Sequence, residues 1–286
     1  MGRVKIIADS VSDIPKKYIE DLDIEVVPLT INFEDGSYRD GIDISTEEFY
    51  RKMGCSDKLP TTSQVTPKEF IDIYNKFKDD YEHIIVLTIS SEMSGTYQSA
   101  MMAKKIIGLE DRITVIDSRG ITLGQGLMAI EGARMAKVDE NKDVIIDRLK
   151  DMVNHMDYIF VVDTLENLKK GGRLSVTKAF IGEKLKIKPV LNIENGKLTL
   201  KDKIRGRKKV IKWVIKKIKK MDMDFKDMTI GVNHTEAEEF AMELKESLEK
   251  ELKPKEIIFG KVGATVGTHA GIGAIAVYFE NSLKKA

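Results

Sequence analysis

The sequence predicts an α/β protein of two domains. An N-terminal open, mainly parallel sheet with flanking helices is expected over residues 1–155, and a C-terminal α/β domain with an antiparallel hairpin over residues 156–286. Three observations carry this. Short aliphatic runs alternate with helix-period stretches up to about residue 155, the pattern of strands and helices built around a parallel sheet. Among them, Ile84-Ile85-Val86-Leu87-Thr88-Ile89 places five aliphatics in six positions, so this strand is apolar on both faces, as strands inside covered sheets are. Beyond residue 155 the signal changes: Asn195-Gly196 separates two alternating runs, the strongest short-range mark of a hairpin.

In chain order, residues 4–8 make a short apolar strand closed by the polar turn Asp9-Ser10-Val11-Ser12-Asp13. Pro15 suits the start of a helix through Tyr18, Ile19 and Leu22, because the N–H it lacks would be unpaired there. Residues 24–33 read as one strand ending at Asp35-Gly36. Ser45 and Glu48 have capping-box spacing and start a helix. Residues 59–67, rich in hydroxyls and bounded by prolines, form a rigid polar loop that opens the next helix at Thr66-Pro67. The buried strand then runs into Ser91-Glu92-Met93-Ser94-Gly95 and a helix through Ala100, Met101, Met102 and Ala103. Residues 113–116 are a strand with Asp117-Ser118 as its turn, and a long helix passes through Ala129, Ala133 and Ala136. After the strand at 158–162 come Gly171-Gly172-Arg173 and the hairpin. A lysine-rich helix follows, with Val210, Ile211, Val214, Ile215 and Ile218 as its apolar stripe. The remainder reads as strand 228–232, helix 236–252, strand 257–259, a Gly-rich loop over 262–273 and a last strand 274–279.

Composition narrows the function classes. Hydrophobic residues are 42% and charged residues 33%, enough for a core beneath a heavily charged surface. A net charge of +1 argues against nucleic acid as the main partner. The single cysteine, Cys55, excludes an intramolecular disulfide and suits a reducing compartment. With no 18-residue apolar run and no signal peptide, a cytoplasmic chain without a membrane span is expected.

The turn after the buried strand is the first candidate site. Where a strand opens directly into a helix, unpaired N–H groups and the helix dipole favour an anion, and Ser91 or Ser94 serves equally well as a simple cap. Thr62 and Ser63 precede that turn by one helix, so a parallel sheet could bring both to one edge. His269 is the only one of four histidines set among small residues. Ser94 with His269 allows a nucleophile and base, hence an acyl-ester hydrolase, but there is no Gly-x-Ser-x-Gly elbow and no acidic partner for His269. The alternative is a set of hydrogen-bond donors for an anionic head group. Asp9 and Asp13 suggest a metal at first sight, yet such residues are what strand-to-helix turns use, and no metal site is expected. Neither a dinucleotide fingerprint nor a Walker A sequence occurs.

These segments, in their order and spacing, carry a resemblance. Asp9 to Asp13, Thr62-Ser63-Gln64, Ser91 with Ser94-Gly95-Thr96-Tyr97-Gln98-Ser99-Ala100, Asp117-Ser118, Leu168 to Arg173, Ile187-Lys188-Pro189 and Gly267-Thr268-His269 resemble the DegV family over nearly the whole chain. Its members are fatty-acid-binding subunits of bacterial fatty-acid kinase systems. The resemblance implies a buried long-chain fatty acid of roughly 14–18 carbons. Thr62, Ser94, Gly95 and His269 would hold its carboxylate, with Ser63, Ser10 and Ser118 as a second tier. It also implies a dihydroxyacetone-kinase-like partner that makes the acyl phosphate for phospholipid metabolism, and allows transient contact with a membrane. Arg173 and Arg205 would serve phosphoryl transfer or the kinase interface without touching the carboxylate. No cofactor is implied, and the chain would be a carrier and not itself an enzyme. A lipid sensor that meets no kinase stays open beside it, as does the hydrolase. Val65 and Ile272 replace prolines usual in the family, which is expected to loosen both loops. Neutral donors suit a carboxylate that must remain able to accept a phosphoryl group, and at about 0.8 kcal/mol per buried CH₂ the tail would supply the affinity. Met101 and Met102 are candidates for an adaptable acyl tunnel.

Overall fold

The computed structural model describes residues 3–174, 187–281 and 283. The first half contains β1 (Val4–Asp9), α1 (Lys16–Asp21), β2 (Glu25–Val27), β3 (Thr30–Phe33), β4 (Gly36–Arg39), α2 (Thr46–Gly54), β5 (Thr61–Ser63) and α3 (Pro67–Phe77). It continues with β6 (His83–Thr88), α4 (Thr96–Ile106), β7 (Ile113–Asp117), α5 (Leu123–Lys137) and α6 (Lys142–His155). The second half contains β8 (Met156–Val161), α7 (Glu166–Lys170), β9 (Ile187–Glu194), β10 (Lys197–Arg205) and α8 (Arg207–Lys219). After these come β11 (Thr229–His234), α9 (Glu238–Leu252), β12 (Glu256–Lys261), α10 (Ala264–Ala270) and β13 (Ile275–Glu280).

β2, β1, β6 and β7 form a parallel sheet in that order, and every residue of β1 and β6 is buried. Pro28 divides the stretch expected as one strand. It has no N–H to continue the ladder, so β2 stays in the parallel sheet while β3 leaves it. β3 pairs antiparallel with β4 and β5 in a small third sheet that the sequence pattern did not announce. The capping box of Ser45 with Glu48 formed on α2, and Thr66, expected to open α3, makes a second one with Glu69.

The larger sheet runs β10-β9-β8-β13-β11-β12 and is antiparallel except between β11 and β12. Both of its faces are covered, and strand alternation sorts the side chains. Tyr158, Phe160 and Val162 join the core shared with the parallel sheet, while Ile159 and Val161 pack with Val210, Val214 and Ile218 of α8. α5 lies between the sheets, against β1 and β6 of one and β8, β11 and β13 of the other, and is buried from Leu123 to Ile130. The hairpin turn is the expected one, with Asn195 at φ 49° and Gly196 at φ 77°.

Residues 262–273 are not simply a loop, since they contain α10. Glycine hid this helix because glycine is what its close packing requires. A Cβ at Gly267 would stand 2.6 Å from the Tyr50 hydroxyl oxygen and 2.9 Å from Phe49 Cε1 of α2. Among the described residues no helix is long and apolar enough to cross a membrane.

Candidate functional site

A cavity of about 360 Å³ lies between the parallel sheet and the larger sheet, within the roughly 300–1,000 Å³ usual for small-molecule sites. Leu29, Ile89 and Ile121, each just beyond the carboxyl end of a parallel strand, line it together with Phe160, Leu191 and Leu198. The hairpin closes this arrangement. Ser90 Oγ donates to Gly196 O at 2.7 Å, and only a residue without a side chain fits at that tip, where a Cβ would be 2.6 Å from Ser90 Oγ.

A linked polar group lines the same cavity. Strand alternation on β5 turns Thr62 away from its exposed neighbours, and its Oγ1 is 2.9 Å from His269 Nε2, in the last turn of α10. Burial, and then the Arg173 cation, pull the His269 pKa down to about 4, so the ring is neutral at neutral pH. His269 Nδ1 is buried without a partner. With its proton on Nε2 the neutral ring donates to Thr62 Oγ1, and with its proton on Nδ1 it accepts from the Thr62 hydroxyl. Gly171, which ends α7, packs flat against this ring: a Cβ there would lie 2.2 Å from Nδ1.

Ser94 sits on the turn before α4, its N–H bonded to Ser90 O, and shares a 2.9 Å hydrogen bond with Thr96 Oγ1. Gly95, the N-cap of α4, has no side chain to cap the helix and lines the cavity, while Ser94 Oγ accepts from Thr96 N at 3.3 Å. Gln64 lies against Gly95 and donates to Ser99 Oγ at 3.0 Å. Ser63 lines the cavity and accepts from Asn32 Nδ2 at 2.9 Å. Arg173 is the one charged group among the described lining residues, and none of these is a carboxylate. Such an enclosure suits a molecule with one anionic end and an apolar body.

Not every expected residue is here. Ser10 and Ser118 stand outside the lining: Ser10 is spent on Leu29 N and Asp40, and buried Ser118 on its own turn at Gly120. Arg205 is exposed at the end of β10, paired with Ile187 across the ladder, and lies away from the cavity. Arg173, expected to stand clear of the ligand, lines the cavity, with Nη1 donating to Gly171 O at 2.7 Å. Met101 and Met102 do not line it. One turn into α4 the helix has rotated them outward, and Met102 is 56% exposed, whereas Met93 on the turn faces the cavity. Ser91, the other capping candidate, bonds to Asp117 instead. Asp9 accepts from Ile89 N, Val11 N and Gln125, which makes it a tie between strand ends. Thr265, four residues before His269, also lines the cavity and was missed because residues 262–273 read as a loop.

The family model described as an uncharacterised protein of the DegV family matches residues 3–282. The chain belongs to the DegV family. A DegV domain-containing protein of Caldanaerobacter subterraneus is 41% identical over 280 residues, covering 98% of this chain and 99% of the relative. A DegV family protein of Thermus thermophilus, solved as a fatty-acid-binding protein, is 30% identical with a TM-score of 0.90, covering 98% of this chain and 99% of its own. A stearic-acid-binding protein from Eubacterium ventriosum is 30% identical with a TM-score of 0.84, covering 97% and 98%. Val65 is 1% exposed and packed in the main core, whereas Ile272 is 47% exposed.

Proposed function

We propose that this DegV-family chain is a fatty-acid carrier. It encloses a long-chain fatty acid between two domains, 1–155 and 156–286, holds the carboxylate at Thr62, Ser94, Gly95 and His269, and presents it to a separate kinase for acyl phosphate formation. The observation that carries this reading is the make-up of one cavity: hydroxyls, the N-cap glycine of α4 and one arginine beside aliphatic and aromatic walls, with no carboxylate among the described lining residues. The fatty-acid-binding relatives support it. The hydrolase reading is weaker. Ser94 Oγ is engaged with Thr96, and His269 is a poor base whose Nε2 meets Thr62 and whose Nδ1 has no carboxylate behind it.

Calorimetric titration with stearate is expected to show one site per chain. Ser94→Ala should weaken it roughly 10- to 100-fold, the loss of a hydrogen bond to a charged group. A wild type that ignores stearate, or a Ser94-dependent burst with an activated acyl ester, would overturn the carrier reading.

The two arginines should separate. Because Arg173 lines the cavity, Arg173→Ala is expected to weaken stearate binding and to lower acyl phosphate formation with the cognate kinase and ATP. Arg205→Ala, outside the cavity, should lower only the second. If Arg205→Ala lowers neither, Arg205 is an ordinary solvated charge. If the wild type yields no acyl phosphate with the kinase, the chain is a sensor or store of fatty acid.

A further inference from the structure

α10 presents two lining side chains, Thr265 and His269, four residues apart and so on one face. With seven residues it is about half the length at which an isolated helix becomes marginally stable in water. Its position must come from what grips it. The grip at its N-terminus is a pair of aspartates from the start of the chain, buried Asp40 and half-buried Asp13. Asp40 Oδ2 accepts from Thr265 N at 3.0 Å and from Thr265 Oγ1 at 2.6 Å, and Asp40 Oδ1 accepts from Ala264 N at 3.3 Å. Asp13 Oδ1 accepts from Gly263 N at 2.8 Å. These N–H groups have no acceptor within the helix, and the dipole favours negative charge at that end.

The rest of the helix has little freedom. Tyr50 donates its hydroxyl to Val262 O at 3.0 Å, Gly267 lies against the Phe49 and Tyr50 rings, and the last turn abuts Gly171. Behind Asp40, Ser10 Oγ donates to Oδ2 at 3.3 Å while accepting from Leu29 N, so the carboxylate is itself tied to the first sheet. This accounts for Ser10 better than a place among the ligands.

We propose that Asp40 is a positioning residue for His269: by fixing the N-terminal turn of α10 it sets the rotation of the helix and hence the reach of the imidazole to Thr62. Asp40 holds Thr265 directly and His269 through a single helical turn. A slip of one residue along the helix turns its face by about 100°, which would carry His269 away from Thr62. The second carboxylate, Asp13, bonds the residue before the helix and cannot set its rotation by itself. The consequence for ligand affinity rests on the carrier reading; the consequence for His269 does not.

The test is a pH titration of histidine-labelled protein by NMR without ligand, wild type against Asp40→Asn. Asparagine keeps the shape but replaces one accepting oxygen with a donor facing donors. The His269 resonance is expected to titrate higher in the variant than in wild type, where burial and the Arg173 cation hold it at about 4, because a turned helix carries the ring out of that setting. His83 and His234, which are buried elsewhere, should keep their lowered values. Stearate affinity should fall roughly tenfold or more. If Asp40→Asn does not fold, Thr265→Val removes the 2.6 Å bond and leaves both carboxylates in place; it should move His269 in the same direction by less. Unchanged His269 titration in a folded variant overturns the proposal even if affinity falls. Failure of wild type to bind stearate counts against the carrier reading alone, and the titration still decides the role of Asp40.

Discussion

Replacing Gly171 with alanine is expected to remove tight stearate binding and leave the protein folded. Gly171 has φ −77° and ψ −9°, ordinary right-handed values at which alanine carries no backbone strain. The cost lies in contact alone. The added methyl would stand 2.2 Å from His269 Nδ1, 2.8 Å from Cε1 and 3.2 Å from Asn167 O. The ring can yield only by moving off Thr62, which is 2.9 Å from its other nitrogen. Losing His269 as a ligand for a charged group, at roughly 1.5–3 kcal/mol, lowers affinity about ten- to a hundredfold. Gly172→Ala is the complementary case. Nothing lies within 4 Å of its Cβ position, but φ +69° strains any other residue, so it should lower the melting temperature while binding persists. Titration calorimetry and thermal melts of both variants check this. Wild-type affinity in Gly171→Ala would mean that His269 does not hold the ligand.

The second large effect is a pH dependence of stability with an unusual sign. Burial raises the Asp9 pKa from 3.8 to about 7, against the pull of the N–H groups of Ile89, Gln125 and Val11. The folded state therefore holds this proton more tightly than the unfolded chain. Stability from Asp9 is greatest below about pH 4, falls as pH rises toward 7 and is level beyond. The full change is roughly 4 kcal/mol, at about 1.4 kcal/mol per unit. Asp13 and Asp40 are shifted upward by burial as well. His269 acts in the opposite sense: its pKa is lowered from 6.5 to about 4, so its contribution is complete above 6.5 and is lost as pH falls through that window. Comparing wild type with Asp9→Asn isolates the carboxylate, because the histidines are common to both. The stability of wild type relative to Asp9→Asn is expected to improve from pH 8 to pH 5 in urea unfolding. A difference that does not change with pH would mean that Asp9 is ionised throughout the range.

Much of this was legible locally. The aliphatic run at 84–89, the capping box at Ser45, the helix start at Thr66-Pro67 and the Asn195-Gly196 turn each act over a few residues, and each formed as its spacing requires. Pro28 was equally local and was overlooked: a missing N–H ends a ladder wherever it occurs. α10 was harder to see. Its glycines read as loop because the rings of Phe49 and Tyr50, which make glycine necessary, are more than 200 residues away in the chain. Met101 and Met102 were misplaced for a related reason, since helical phase relative to a cavity depends on where the helix sits.

The sequence by itself determined that strands and helices alternate, where most of them begin, and that hydroxyls, glycines and one histidine gather in turns and short segments, because these depend on backbone chemistry within a few residues. It also carried enough pattern to identify the family. Only the tertiary structure decided that Thr62 meets His269 across 207 residues, that Arg173 joins them while Ser10 and Arg205 do not, and that Asp40 grips the helix bearing the histidine. Those are distances between separate elements. They are set by how two sheets pack around α5, where burial, shape and the satisfaction of buried polar groups must all be met at once.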